Sequence, residues 1–189
     1  MPALPNSVFN MTCGLRGFIS DLNDFAKQHS HDLLRPVGAG FNPSPSVRVL
    51  ATNTYPDGEE HREDKSNIIH AECAALDQRD KLGIDSIQIV TTKAPCLRCA
   101  IELAARGVRS VAMPSPDPIS SWYGEQQKAL LFMLDKGLSV LLLTELDKHG
   151  DLIRDYDDWA RTGKVVGRIN REDVTRVGYP NRIGMAPPK

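Results

Sequence analysis

Hydrophobic positions along the chain follow two spacings, and each spacing predicts a different kind of element. Four stretches carry apolar residues every three or four positions, which is typical of amphipathic helices. These stretches are 18–29, 70–80, 96–106 and 122–136. Five short runs are rich in β-branched or continuous apolar residues and are bounded by polar or turn-forming residues, which is typical of strands. These runs are 36–41, 47–52, 86–91, 110–113 and 138–143.

The order of these elements is α-β-β-α-β-α-β-α-β. The first two strands are joined by turn chemistry, Asn42-Pro43-Ser44-Pro45, and so short a connection predicts an antiparallel pair. Strands that then alternate with helices predict an α/β fold, a three-layer α/β/α sandwich on a five-stranded mixed sheet. We expect an N-terminal segment over 1–17, one domain over 18–143 and an extension over 144–189. Within this extension, the residue pattern predicts a helix over 151–161. Little periodicity is present over 168–189, which predicts either a loosely packed tail or a cap on a partner subunit.

Composition excludes several classes of protein. The 189 residues include 23 basic and 24 acidic side chains, for a net charge of −1, which argues against a nucleic-acid polymer as the main partner. No stretch approaches 18 apolar residues, so no membrane span is expected. The first residues lack the basic flank and apolar core of a signal peptide. Four cysteines do not form a disulfide scaffold, and a thiolate metal site would suit a reducing compartment, so a cytoplasmic location is expected.

Two segments at the starts of predicted helices carry the residues of a metal site. His70-Ala71-Glu72 opens one helix, and Pro95-Cys96-Leu97-Arg98-Cys99 opens the next. Cys96 and Cys99 share a helix face at i and i+3, whereas His70 and Glu72 can meet one ion only beyond a helix start. There the helix dipole favours an anion. Three protein ligands leave a tetrahedral Zn²⁺ one position for water, which is typical of a catalytic site.

The same residues also have simpler interpretations. A Cys-x-x-Cys pair is often a redox pair or half of a structural zinc site. A closed structural site needs a fourth donor, and the candidates are His31, His61, Cys73 and Cys13. Against that interpretation, each half of the motif opens a helix, a strand separates the two halves, and a structural zinc does not need Glu72.

These residues form the pattern H-x-E…P-C-x-x-C, which is a signature of the zinc nucleobase deaminases. Over about 18–143 the chain resembles the cytidine/deoxycytidylate deaminase superfamily, and the deoxycytidylate (dCMP) deaminases in particular. Further motifs carry the resemblance: Pro36-Val37-Gly38-Ala39, like the V-G-A of the first strand, and Asn53-Thr54-Tyr55-Pro56-Asp57-Gly58, like N-x-x-P-x-G. The resemblance implies the cytidine deaminase-like fold and a homo-oligomer.

The resemblance also implies a role for each site residue. His70, Cys96 and Cys99 would hold zinc, and Glu72 would be the proton shuttle. Asn53 would hydrogen-bond the sugar or base of the substrate, although an Asn before Pro-Asp-Gly is also an ordinary turn former. Ala71 would lie against the base, where a small side chain leaves space and the backbone N–H can be used.

The loop before the second helix suggests a phosphate contact. Arg62 and Lys65 lie there and could meet the 5′-phosphate of a nucleotide. The alternative is a solvated loop, because four acidic residues surround these two cations: Glu59, Glu60, Glu63 and Asp64.

The resemblance and these residues leave three functions open. The first is hydrolytic deamination of a small-molecule nucleotide, dCMP to dUMP and ammonia. The second is deamination of another nucleoside or base: cytidine, guanine, a modified dCMP or adenosine in tRNA. The third is a zinc module without catalysis that serves binding or assembly.

Overall fold

The computed structural model describes residues 11–44, 47–56, 67–114, 116, 120–142 and 167–169. The four helices in these ranges are α1 (Met11–His29), α2 (Ala71–Lys81), α3 (Leu97–Ala105) and α4 (Tyr123–Asp135). The strands are β1 (Gly38–Ser44), β2 (Val47–Thr52), β3 (Gln88–Thr91), β4 (Ser110–Met113), β5 (Ser139–Leu142) and β6 (Gly167–Ile169). The predicted helix at 151–161 lies outside the described residues.

All six strands form one mixed sheet in the order β2-β1-β3-β4-β5-β6. β1 runs antiparallel to both β2 and β3, as predicted for the first pair, while β3, β4 and β5 are parallel. The carboxyl ends of β2, β3, β4 and β5 therefore share one edge of the sheet. Since α2 follows β2 and α3 follows β3, the helices with the metal motif are expected to begin at this edge.

The sheet differs from the prediction at two places. β1 continues to Ser44, beyond the predicted end at 41, and a register shift between Phe41 and Ser44 accommodates Asn42 and Pro43, which the sequence predicts as part of a turn. Proline is tolerated at such an irregularity, where a regular ladder would need its missing N–H. The five predicted strands are present, and β6 adds a sixth, antiparallel to β5. With three residues, β6 is too short to produce a recognisable sequence pattern.

Helices cover both faces of the sheet, which confirms the three-layer sandwich. On one face, α1 packs Phe18, Ile19 and Leu22 against Val90 and Ala112. On the other face, the residues adjacent to these in the strands, Ile89 and Val111, lie in the larger core with α2, α3 and α4. Successive side chains of a strand point to opposite faces, so each buried strand serves both cores.

α1 lies so close to β1 that a glycine is required. A Cβ added at Gly38 would lie 2.6 Å from the backbone oxygen of Leu22, closer than such atoms can approach. This contact gives a physical reason for the glycine of the Val-Gly-Ala segment. No helix in the described ranges is long and apolar enough to cross a membrane.

Candidate metal centre and active site

Two helix N-termini present the candidate metal ligands. His70 is the N-cap of α2 and Cys96 the N-cap of α3, each with an extended backbone at φ −69°, ψ 150° and φ −76°, ψ 166° respectively. Neither side chain forms a capping hydrogen bond with its own helix, which leaves both free for a metal. Cys99 follows in the first turn of α3, and Glu72 in the first turn of α2. This is the arrangement that the i, i+2 spacing of His70 and Glu72 demanded.

The donor atoms are close enough to share one ion. His70 Nδ1 lies 3.3 Å from Cys99 Sγ and 3.6 Å from Cys96 Sγ, and the three donor atoms lie within 4.8 Å of one another. Zinc bond lengths of about 2.3 Å to sulfur and about 2.0 Å to nitrogen, at tetrahedral angles, separate two such donors by about 3.6 Å. The residues therefore fit zinc in both donor type and spacing.

The three donors differ in how readily each loses its proton. A hydrogen bond from Cys99, together with the His70 ring, lowers the pKa of Cys96 to about 4. The hydrogen bond to Cys96 in turn raises the pKa of His70. The Cys99 thiol has a raised pKa because it donates to the neighbouring sulfurs and is buried. One thiolate is thus already favoured, and a metal ion would take the place of the protons on the other ligands.

Glu72 is a buried acid beside the three donors. Glu72 is 4% exposed, and this burial raises the pKa of its carboxyl group. A hydrogen bond from its own backbone N–H, the charge of His70 and a hydrogen bond from the Cys99 thiol each lower that pKa, but by less than burial raises it. Glu72 is not among the three residues whose donor atoms converge. The raised pKa makes this carboxyl group a better proton acceptor than an ordinary glutamate, which suits a group that must take and give a proton in general acid–base catalysis.

The described candidates for a fourth ligand do not complete a closed site. The Cys73 thiol interacts with Cys99, which lowers the pKa of Cys73, but Cys73 is not in the convergent group. The His31 Nδ1 instead accepts a hydrogen bond of 3.2 Å from the Tyr55 backbone N–H. His61 and the Cys13 side chain lie outside the described part. As far as the structure describes the donors, they match an open, three-ligand site.

Asn53 connects the edge of the sheet to the start of α2. Its Oδ1 accepts a hydrogen bond of 3.1 Å from the Ala71 backbone N–H, and its Nδ2 donates one of 3.3 Å to the Arg35 carbonyl oxygen. Both Asn53 and Ala71 are buried. Ala71 directly follows the candidate ligand His70, and its N–H already has a partner; its contact with a base stays a prediction. This bridge is not evident from the sequence, in which the available signal is a polar side chain directly after a buried strand.

Two of the predicted site residues are not among the residues that the structure describes. Arg62 and Lys65 lie outside the described ranges, so their contact with a phosphate stays a prediction. The structure does bring together the other predicted residues: the two pairs His70–Glu72 and Cys96–Cys99 from two helices, and Asn53 with Ala71.

Comparison with solved structures finds matches at low sequence identity. The dCMP deaminase from the cyanophage S-TIM5 in its apo form matches with a TM-score of 0.54 at 20% identity, over 67% of this chain and 95% of that chain. Its complex with dCMP and dUMP gives 0.52 at 18% identity, over 73% and 98% of the two chains. RibD of Acinetobacter baumannii, form 2, gives 0.50 at 19% identity, over 79% of this chain and 37% of that chain.

Sequence comparison adds nothing to these matches, because no family model and no curated protein matches the chain. The structural likeness covers about two thirds or more of the chain. The protein therefore has the α/β fold of the dCMP deaminases, and the fold that its motifs predicted is confirmed.

Proposed function

We propose that this protein is a zinc-dependent hydrolase that converts dCMP and water to dUMP and ammonia. The observation that carries the proposal is the pairing of an open three-donor site with a buried carboxyl group, Glu72, that is not one of the donors. A structural zinc site has no use for such an acid, and burying it is costly. The arrangement therefore favours hydrolysis over a silent zinc module.

His70, Cys96 and Cys99 would hold the ion. When bound, zinc supplies a water whose pKa is lowered to about 7, which gives a hydroxide nucleophile at neutral pH. In the reaction the oxygen of a water molecule adds to C4 of the cytosine ring, and N3 gains a proton. The amino group then gains a second proton and leaves as ammonia. Glu72 is the group that moves these protons, first from the water to N3 and then to the departing amine. Its burial beside the ligands excludes bulk water from competing in these transfers.

The choice of a cytosine nucleotide rests on different support. The N-x-x-P-x-G segment that begins at Asn53 resembles the nucleotide branch, and one matching structure holds dCMP and dUMP. The balanced net charge weakens the alternative of tRNA, which would favour a basic surface. A cytoplasmic homo-oligomer remains our expectation from the sequence.

The proposal is tested by measuring ammonia release from six substrates: dCMP, CMP, deoxycytidine, cytidine, guanine and a tRNA anticodon stem. We expect the highest kcat/KM for dCMP. Glu72→Gln should keep its zinc, measured by elemental analysis, and lose at least about 10²-fold in kcat. Glu102→Gln, a change of an exposed acid on α3, is the matched control. Activity that survives in Glu72→Gln would exclude Glu72 as the proton shuttle, and ammonia from none of the six would refute a deaminase of these substrates.

A further inference from the structure

Arg35 stands at the edge of the sheet that carries the candidate metal centre. It precedes β1, which lies between β2 and β3. Side chains from the neighbouring segments hold the start of β1 by hydrogen bonds. Thr52 Oγ1, at the end of β2, donates to the Val37 carbonyl oxygen at 2.7 Å, and Thr92 Oγ1, directly after β3, accepts from the Gly38 N–H at 2.8 Å. Segment 35–38 is therefore held between the chain that leads to His70 and the chain that leads to Cys96.

The Asn53 side chain bridges the backbone of Arg35 and the start of α2. Asn53 accepts from the Ala71 N–H and donates to the Arg35 carbonyl oxygen, and Ala71 directly follows His70. The loop before Arg35 is also fixed, because the Arg35 backbone N–H donates to Asp32 Oδ1 at 3.3 Å and Asp32 is buried. The backbone of Arg35 is thus held in place relative to the metal ligands before any substrate binds.

The Arg35 side chain is available for a ligand. It is exposed, and it forms no ion pair with any carboxylate in the described ranges. By contrast, Arg48, Arg79 and Arg106 each pair with an aspartate. A nucleotide places its sugar between the reacting ring and the phosphate, so the phosphate must be bound at the rim of the site and not at the metal. A guanidinium is suited to that task because it donates two parallel N–H bonds to phosphate oxygens.

From this placement we infer that Arg35 binds the 5′-phosphate of the substrate and so selects nucleotides over nucleosides. The inference rests on the proposed function for the identity of the substrate. It differs from the prediction for Arg62 and Lys65 because it rests on the described hydrogen bonds by which Asn53 links the Arg35 backbone to α2. Asn53 would then act as a positioning residue that sets the distance between the phosphate contact and the reacting ring.

The test compares Arg35→Ala with wild type on dCMP and on deoxycytidine, which has no phosphate. We expect KM for dCMP to rise at least about 10-fold, the scale of a lost charge-assisted contact, with little change for deoxycytidine. Arg35→Lys should recover part of the loss. Arg109→Ala is the matched control, because Arg109 is also exposed but precedes β4, at the opposite edge of the sheet.

Calorimetric binding of dUMP and deoxyuridine gives a readout that needs no turnover. Weaker dUMP binding in Arg35→Ala, with deoxyuridine unchanged, supports the inference even if the protein releases no ammonia, in which case the proposed function alone fails. Equal losses of dUMP and deoxyuridine binding in Arg35→Ala would overturn the inference. It would also be overturned if Arg62→Ala weakened the binding of dUMP but not of deoxyuridine while Arg35→Ala did not. A wild-type protein that deaminates deoxycytidine as well as dCMP overturns it too, while leaving the deaminase function intact.

Discussion

Arg79 connects the ends of the two helices that carry the candidate metal ligands, and its removal should destabilise the protein measurably. It lies near the end of α2 and is 8% exposed. Its guanidinium donates to the Arg106 carbonyl oxygen, at the C-cap of α3, at 2.9 Å and to the Ser86 carbonyl oxygen at 3.3 Å. The same group lies 5.3 Å from the centre of the Phe41 ring and pairs with Asp80. The perturbation that we propose is Arg79→Met, which keeps the apolar stem and removes these donors.

The two carbonyl bonds dominate the expected loss. A hydrogen bond from a charged group contributes about 1.5 kcal/mol or more, so two contribute about 3 kcal/mol. The pair with Asp80 adds little because that carboxylate is largely solvated. Methionine also relieves the cost of burying a charge, which returns part of the loss. We expect a net destabilisation of about 2 kcal/mol, which for a chain of this size lowers Tm by roughly 4–8 °C.

The assay is thermal unfolding at neutral pH, in matched zinc concentrations, because bound metal itself stabilises the fold. The matched control is Arg48→Met, which removes an exposed arginine paired with Asp21. That change should alter the free energy of unfolding by no more than about 0.5 kcal/mol. If Arg79→Met lowers Tm no more than the control does, the bonds to the two carbonyl groups do not hold α2 and α3 together as we argue.

Three further predictions follow from the fold and the site. Cys96→Ser and Cys99→Ser should each lose zinc by elemental analysis and unfold at lower temperature, because metal-binding free energy is also folding free energy; unchanged zinc content in both would contradict the ligand assignment. Gly38→Ala should cost about 1–3 kcal/mol of stability in denaturant unfolding, because its Cβ would overlap the Leu22 carbonyl group. Two arginines lower the pKa of Asp80 from an ordinary value of 3.8. Its stabilising effect is therefore complete above that value and lost as pH falls through the lower folded-state pKa. Acidification below about pH 4 should then lower Tm less in Asp80→Asn than in wild type, and parallel curves would show that the pairing has no energetic effect.

The sequence by itself determined the elements and the candidate ligands. The periodicity located all four described helices and five strands, although α1 begins at Met11 and not at the predicted 18. The spacing of His70, Glu72, Cys96 and Cys99 required them to meet at helix starts. These features could be predicted because they depend on neighbours within one turn of helix or one run of strand. Metal coordination adds a strict demand on residue type, which makes His70, Cys96 and Cys99 recognisable as candidate donors without any contact map.

Tertiary structure alone decided the features that depend on single contacts between distant segments. β6 pairs through three residues, Asn53 joins Arg35 to Ala71 across 18 positions on either side, and Arg79 reaches the end of α3 across 27. One hydrogen bond between distant residues leaves no periodic trace in a sequence, because its partner is fixed only when the sheet order brings the segments together. The sequence therefore specified which residues could hold a metal, whereas the packing of the sheet and helices specified what surrounds it.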